Sequence, residues 1–118
     1  MQYRRLGKTN LRVSALCLGT MMFGDQTDAT ESQRIVDHAR AQGVNFIDTA
    51  DVYSQGKSEQ IVGRAIAAHR DDWVLATKVG NRMQLDSALP NHDRYSRKWL
   101  MQECDASLKR LGTDYIDL

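Results

Sequence analysis

Four short apolar runs, set at intervals typical of a βαβ chain, limit what this sequence can fold into. They are Ala15-Leu16-Cys17-Leu18, Asn45-Phe46-Ile47-Asp48, Trp73-Val74-Leu75-Ala76-Thr77 and Tyr115-Ile116-Asp117-Leu118. The interval is about 30 residues, lengthening to about 40 where the polar stretch from Gly80 to Tyr95 intrudes, as βαβ units require. That stretch carries the only proline, Pro90, and loops of its length are usually functional. A run apolar on both faces suits a buried parallel strand. Parallel strands joined by helices make an α/β protein.

The segments between the runs carry helix signals. Asp28, followed by Glu31, opens the first in a capping-box-like pattern; Ile35, Val36 and Ala39 recur at helical spacing, and Gly43 stops it. Ser58 is the expected N-cap of the second helix, with Ile61, Val62, Ala65 and Ile66 as its apolar face. Ser96 caps a third, with Leu100, Cys104, Leu108 and Leu111 expected on its buried stripe and Gly112 at its end. Ahead of all this, Tyr3–Leu6 and Leu11–Ser14 flank Gly7-Lys8-Thr9-Asn10, which predicts a β-hairpin.

Two closures suit such a chain, an open doubly wound sheet or a (β/α)₈ barrel. The first βα turn, Leu18-Gly19-Thr20-Met21-Met22-Phe23-Gly24, is not the GxGxxG of a dinucleotide-binding open sheet. A barrel places reactive residues at the C-terminal ends of its strands, and Asp48 and Lys78 follow two of the runs directly. A whole barrel needs about 200 residues or more, and this chain has 118. The expectation is the N-terminal part of a (β/α)₈ TIM barrel: a leading hairpin and about three and a half βα units, with residues 1–118 as one incomplete domain.

Net charge of +1 gives no electrostatic case for nucleic acid or an acidic membrane surface. No apolar run approaches the ~20 residues of a membrane span, and Met1-Gln2-Tyr3-Arg4-Arg5 is followed by no signal-peptide core. The cytoplasm is the expected compartment. Cys17 and Cys104 form no CxxC pair and are expected as two buried free thiols; no metal site is expected.

With neighbouring parallel strands, Asp48, Tyr53 and Lys78 gather at one end of one sheet. Acid, phenol and amine together can move protons. An unperturbed tyrosine titrates at about 10, and an adjacent ammonium favours phenolate. A carboxylate beside the lysine holds it charged and in place. Each residue also has a plainer reading: Asp48 capping a turn, Tyr53 packing its ring in a loop, Lys78 as a strand-end charge. Asp51 and Glu59 are expected as loop or helix-start charges, His38 as a mid-helix residue, His69 as a cation at a helix C-terminus, and His92 as an exposed loop residue.

The chain resembles the start of an aldo-keto reductase. The resemblance rests on Tyr3 to Ser14, Leu18-Gly19-Thr20, Phe46-Ile47-Asp48-Thr49-Ala50-Asp51-Val52-Tyr53, Gly56-Lys57-Ser58-Glu59, Ala76-Thr77-Lys78 and Leu108 to Leu118. It implies a barrel whose N-terminal mouth is plugged by the hairpin, and an enzyme that reduces aldehydes and ketones with NADPH. It assigns Tyr53 as proton donor to the carbonyl, with Lys78 beside the phenol and Asp48 paired to Lys78. It implies Gly19, Thr20, Met21 and Asp48 near the nicotinamide end of the cofactor, and Met22, Phe23 and Tyr53 around a small-molecule carbonyl substrate. The family's catalytic histidine and its main cofactor-binding segments fall beyond Leu118. The isolated chain is therefore expected to be inactive, and to self-associate through open strand edges. The same resemblance leaves room for a potassium-channel β-subunit-like binding module, or for a fragment without function.

Overall fold

The computed structural model describes residues 1–81 and 95–118. The body of the expected Gly80–Tyr95 loop, with Pro90 and His92, lies outside the described residues.

The hairpin forms as expected. Strands β1 (Tyr3–Arg5) and β2 (Arg12–Ser14) run antiparallel, with Tyr3 opposite Ser14 and Arg5 opposite Arg12. Its neighbours show what it covers. The Ser14 N–H donates to Asn45 Oδ1 at 2.7 Å, Asn45 Nδ2 donates to the Arg12 carbonyl at 3.0 Å, and the Tyr3 hydroxyl donates to the Gly43 carbonyl at 2.8 Å. Gly43 and Asn45 precede a strand of the main sheet, so the hairpin is fastened at the N-terminal end of that sheet.

The main sheet is parallel, in the order β3 (Leu18–Gly19), β4 (Phe46–Asp48), β5 (Val74–Ala76). Leu18 pairs with Ile47 and Gly19 with Asp48; Phe46 pairs with Val74 and Asp48 with Ala76. Tyr115–Leu118 forms no regular strand but runs beside β5 where the fourth run was expected. The Asp117 and Leu118 N–H groups donate to the Leu75 carbonyl at 3.0 and 3.1 Å, and Thr77 N–H donates to the Leu118 carbonyl at 3.0 Å.

Helices α1 (Ala29–Ala41), α2 (Lys57–Ile66) and α3 (Arg97–Leu111) follow the strands, with α2 packed against both α1 and α3. They cover the sheet face that carries Ile47 and Leu75, both fully buried in a core with Val36, Val62, Ile66, Trp73 and Leu111. Burying each such side chain stabilises the fold by about 1.5–3 kcal/mol. Asp28 caps α1 by accepting from the Glu31 N–H at 2.8 Å, Ser96 caps α3 by accepting from the Trp99 N–H at 3.1 Å, and Gly43 and Gly112 follow the ends of their helices.

Several expectations need correction. Ser58 does not cap α2, because the helix begins two residues earlier than such a cap requires, at Lys57 after Gly56. Its hydroxyl is buried and donates instead to the Thr20 carbonyl at 2.8 Å. The buried stripe of α3 is turned by one residue: Trp99, Glu103, Ser107 and Leu111 face inward, while Cys104 is exposed and Leu100 and Leu108 are half-buried. Apolar periodicity missed this face because a carboxylate and a hydroxyl lie on it. Both cysteines are exposed rather than buried. Cys17 lies ahead of the short β3 in a segment where Ala15 and Leu16 are exposed too, so that run is not buried on both faces here. His38 sits on α1 as expected, and His69 lies in the 3₁₀ segment after α2, 4.0 Å from Asp72.

Candidate active site

Side chains alternate across a strand with a period of two. Asp48 and its partner Ala76 therefore share the face opposite Ile47 and Leu75, and Lys78, two residues past Ala76, continues that alternation at the C-terminal end of the sheet. Beyond the strands the two chains stay linked: Thr49 N–H donates to the Ala76 carbonyl at 3.0 Å and Asp51 N–H to the Lys78 carbonyl at 3.2 Å. Tyr53 opens a 3₁₀ turn, Tyr53–Gly56, that leads into α2.

The structure brings all three expected side chains together. Lys78 Nζ donates to Asp48 Oδ2 at 2.7 Å, to the Thr49 carbonyl at 2.8 Å and to Tyr53 Oη at 3.3 Å. An ammonium has three protons and no lone pair, so each proton has an acceptor. Tyr53 Oη accepts from Lys78, which leaves the phenol's own proton available to another acceptor. Burial works against the Lys78 charge, but the bonds to Asp48 and Tyr53 outweigh it and raise the lysine pKa above its ordinary value. Lys78 and Asp48 remain open to solvent, with side chains 48% and 32% exposed, so the group is reachable from outside.

The other expected residues divide. Gly19 and Met21 are exposed near Asp48, Gly19 by its strand pairing and Met21 shortly after it. An added Cβ on Gly19 meets nothing within 4 Å, so a flat group has room against it. Thr20 is fully buried and offers a cofactor no free donor: its N–H and its hydroxyl both donate to the Asp48 carbonyl at 3.0 Å. It fixes the β3–β4 junction rather than facing a ligand. Met22 is 40% exposed, as a pocket wall requires, whereas Phe23 is 3% exposed and belongs to the core. Phe23 is thus a packing residue here, not a wall.

Residue patterns also missed a buried polar group behind the site. Asp51 and Glu59, expected as loop or helix-start charges, lie after β4 and in the first turn of α2 but are 1% and 0% exposed. Glu59 lies between Thr77 and Arg110, and Arg110 also reaches Glu103. Burial, with the fields of Glu103 and Glu59, raises the Asp51 pKa to about 6. The signal for this group was present in α3, where Glu103, Ser107 and Arg110 recur at helical spacing beside Trp99 and Leu111. Among the described residues no group of three or more His, Cys, Asp or Glu is placed to hold a metal ion. No helix there is long and apolar enough to cross a membrane.

A plugged, partial parallel β/α barrel with a lysine–tyrosine–aspartate group at the C-terminal end of its sheet is the class these features define. Comparison with known proteins gives the family. The model of the Aldo/keto reductase family matches residues 15–118. An aldo-keto reductase, AKR11C1 from Bacillus halodurans in its holo form, superposes with a TM-score of 0.83 at 42% identity, over 98% of this chain and 38% of that one. The uncharacterized oxidoreductase YrpG of Bacillus subtilis is 44% identical over all of this chain and 39% of its own length. A probable voltage-gated potassium channel subunit beta of Arabidopsis thaliana is 42% identical over all of this chain and 36% of its own. The chain belongs to the aldo/keto reductase family, and it spans well under half the length of these relatives.

Proposed function

We propose that this segment supplies the proton-transfer half of a carbonyl reductase, in which a small-molecule aldehyde or ketone is reduced at the expense of NADPH. The observation that carries the reading is the Lys78 ammonium bonded at once to Asp48 and Tyr53. The nicotinamide, when bound, supplies hydride to the carbonyl carbon. Tyr53 then gives its proton to the carbonyl oxygen, so that one hydride and one proton make the alcohol. Lys78 stabilises the phenolate left behind, and Asp48 keeps the lysine charged and aimed. Exposed Gly19 and Met21 would suit the nicotinamide, Asp48 would be the group to bond its ribose, and Met22 would suit the substrate side. General acid catalysis of this kind contributes typically ~10²–10⁴-fold.

The test is NADPH oxidation with an aromatic aldehyde by the protein that carries this segment, followed at the nicotinamide absorbance band. Tyr53→Phe should reduce turnover at least about 100-fold; undiminished turnover would overturn the assignment. The 118-residue chain by itself should show no steady turnover, and should self-associate, since β3 has β4 as its only strand neighbour among the described residues. A monodisperse monomer in sedimentation would contradict the latter. The cytoplasm is the compartment this reading assigns.

The resemblance to the Arabidopsis channel subunit favours a second reading, a binding module built on the same barrel. A protein that binds NADPH yet turns over no carbonyl, with Tyr53 intact, would support it over the reductase.

A further inference from the structure

Behind the solvent-facing Lys78–Tyr53 pair lies a buried ion pair that grips both segments carrying it. Glu59, in the first turn of α2, is fully buried. Its Oε1 accepts from the Thr77 hydroxyl at 2.7 Å, and Thr77 immediately precedes Lys78. Its Oε2 accepts from Arg110 Nε at 2.5 Å. Arg110, on α3, is held in turn by Glu103 and by the Ser107 hydroxyl. Burial opposes the Arg110 charge, but the bonds to Glu59 and Glu103 outweigh it and raise its pKa.

The same arginine braces the turn that carries Tyr53. Tyr53–Gly56 is an unusual turn: Ser54 and Gln55 hold φ of 49° and 57°, and Gly56 holds 86°. Left-handed backbone at two successive non-glycine residues is sterically unfavourable, so the turn persists only because its surroundings hold it. Ser54 donates to the Phe23 carbonyl at 2.9 Å on one side. On the other, Arg110 Cδ lies so close that a Cβ on Gly56 would come within 2.8 Å of it.

We propose that Glu59 and Arg110 are positioning residues for carbonyl reduction, fixing Lys78 through the Thr77 hydroxyl and Tyr53 through the packing of Arg110 beneath Gly56. The inference rests on the reductase reading for its kinetic consequence, though not for its geometric one. Neither residue hydrogen-bonds Lys78 or Tyr53 directly, and the Glu59 side chain is fully buried. Their effect falls on kcat, because misplacing the proton donor by a fraction of an ångström slows transfer without weakening cofactor binding. A charge-assisted contact suits the task, since each Glu59 oxygen is committed to one partner, Thr77 or Arg110, and Arg110 spends its second nitrogen on Glu103 and Ser107.

The decisive residue is Thr77, which can lose its hydroxyl without loss of bulk. In the protein that carries this segment, Thr77→Val should lower kcat about tenfold with KM for NADPH unchanged, while Thr77→Ser should retain the wild-type kcat. Independently of turnover, the Lys78 ammonium titration, read by NMR from the ¹³Cε of isotopically labelled lysine, should move down in Thr77→Val as Lys78 loses its bonds to Asp48 and Tyr53, and stay in place in Thr77→Ser. Should Thr77→Val fail to fold, Thr77→Ala removes the same hydroxyl and is read the same way. Unchanged kcat and Lys78 titration in the hydroxyl-free variant, or a serine variant no better than it, would overturn the proposal. If Tyr53→Phe leaves turnover intact, the reductase reading fails, and the Lys78 titration still decides whether Thr77 and Glu59 position the lysine.

Discussion

Asp48 at the end of β4 and Lys78 just past the end of the adjacent parallel β5 meet at 2.7 Å, because the register pairs Asp48 with Ala76, two residues before the lysine. A register shift of one residue would put them on opposite faces. The lysine's raised pKa has a definite consequence. A lysine with a raised folded pKa contributes stability that is present below its unfolded value and lost as pH rises through the folded one. Asp48→Asn should therefore lower the Lys78 titration and cost stability at neutral pH, with the difference fading above about pH 10.5. Because Lys78 is about half exposed, the cost should stay under about 1 kcal/mol; thermal unfolding across pH measures it. Activity should fall far more, by about 10–100-fold.

The strand positions and this cluster were legible because they depend on local signals. Apolar runs end at Asp48 and near Lys78, and spacing of about 30 residues forces a parallel connection. The hairpin, the Asp28 and Ser96 caps and the glycine stops follow from backbone chemistry at single positions. What escaped detection depends on tertiary burial of polar groups. Glu59 and Asp51 look like surface charges until α3 brings Arg110 and Glu103 against them. Thr20 and Ser58 look like ligand-binding and capping residues until the β3–β4 junction consumes their hydroxyls. The α3 stripe was misplaced for the same reason, since a face built from Glu103 and Ser107 has no apolar period to find.

Asp51 should make the fold less stable at neutral than at acidic pH. Its side chain is buried, its Oδ2 has no hydrogen-bond partner among the described residues, and its pKa is raised to about 6 from 3.8, first by burial. Between those values the folded state holds a proton the unfolded state has lost, so stability falls as pH rises through that window. Asp51→Asn, which keeps the shape without the charge, should stabilise the protein by about 1–2 kcal/mol at pH near 7.5 and have little effect near pH 4. Denaturant unfolding at the two pH values tests this; a destabilised Asn variant at neutral pH would contradict it.

Arg70 should be the residue that docks Tyr115–Leu118 against β5. Its guanidinium donates to the Trp73 and Tyr115 carbonyls at 3.0 Å each and to Asp117 Oδ2 at 2.8 Å, and lies 3.8 Å above the Tyr115 ring. The same Asp117 oxygen accepts from the Leu75 N–H at 2.9 Å. With both side chains less than a fifth exposed, removing the arginine strands a mostly buried carboxylate. Arg70→Met should cost about 3 kcal/mol, and hydrogen exchange at the Leu75 and Leu118 amides should accelerate well beyond that of Ile47 in β4.

Gly63 sits inside α2, where alanine is normally favoured over glycine by about 1 kcal/mol. Here the sign should reverse. A Cβ on Gly63 would come within 2.0 Å of the Leu111 carbonyl oxygen and 2.7 Å of its Cα. Those are backbone atoms at the end of α3, so no side chain can rotate away to make room. Gly63→Ala must push α3 from α2, opening the core at Leu111 and stretching the Glu59–Arg110 bond between the same two helices. Overpacking of this kind costs typically 1–3 kcal/mol, and rigid backbone on the far side puts the expected loss at about 3 kcal/mol or more. Urea unfolding midpoints compare the two proteins directly. A Gly63→Ala variant as stable as the wild type would mean that α2 and α3 do not approach this closely.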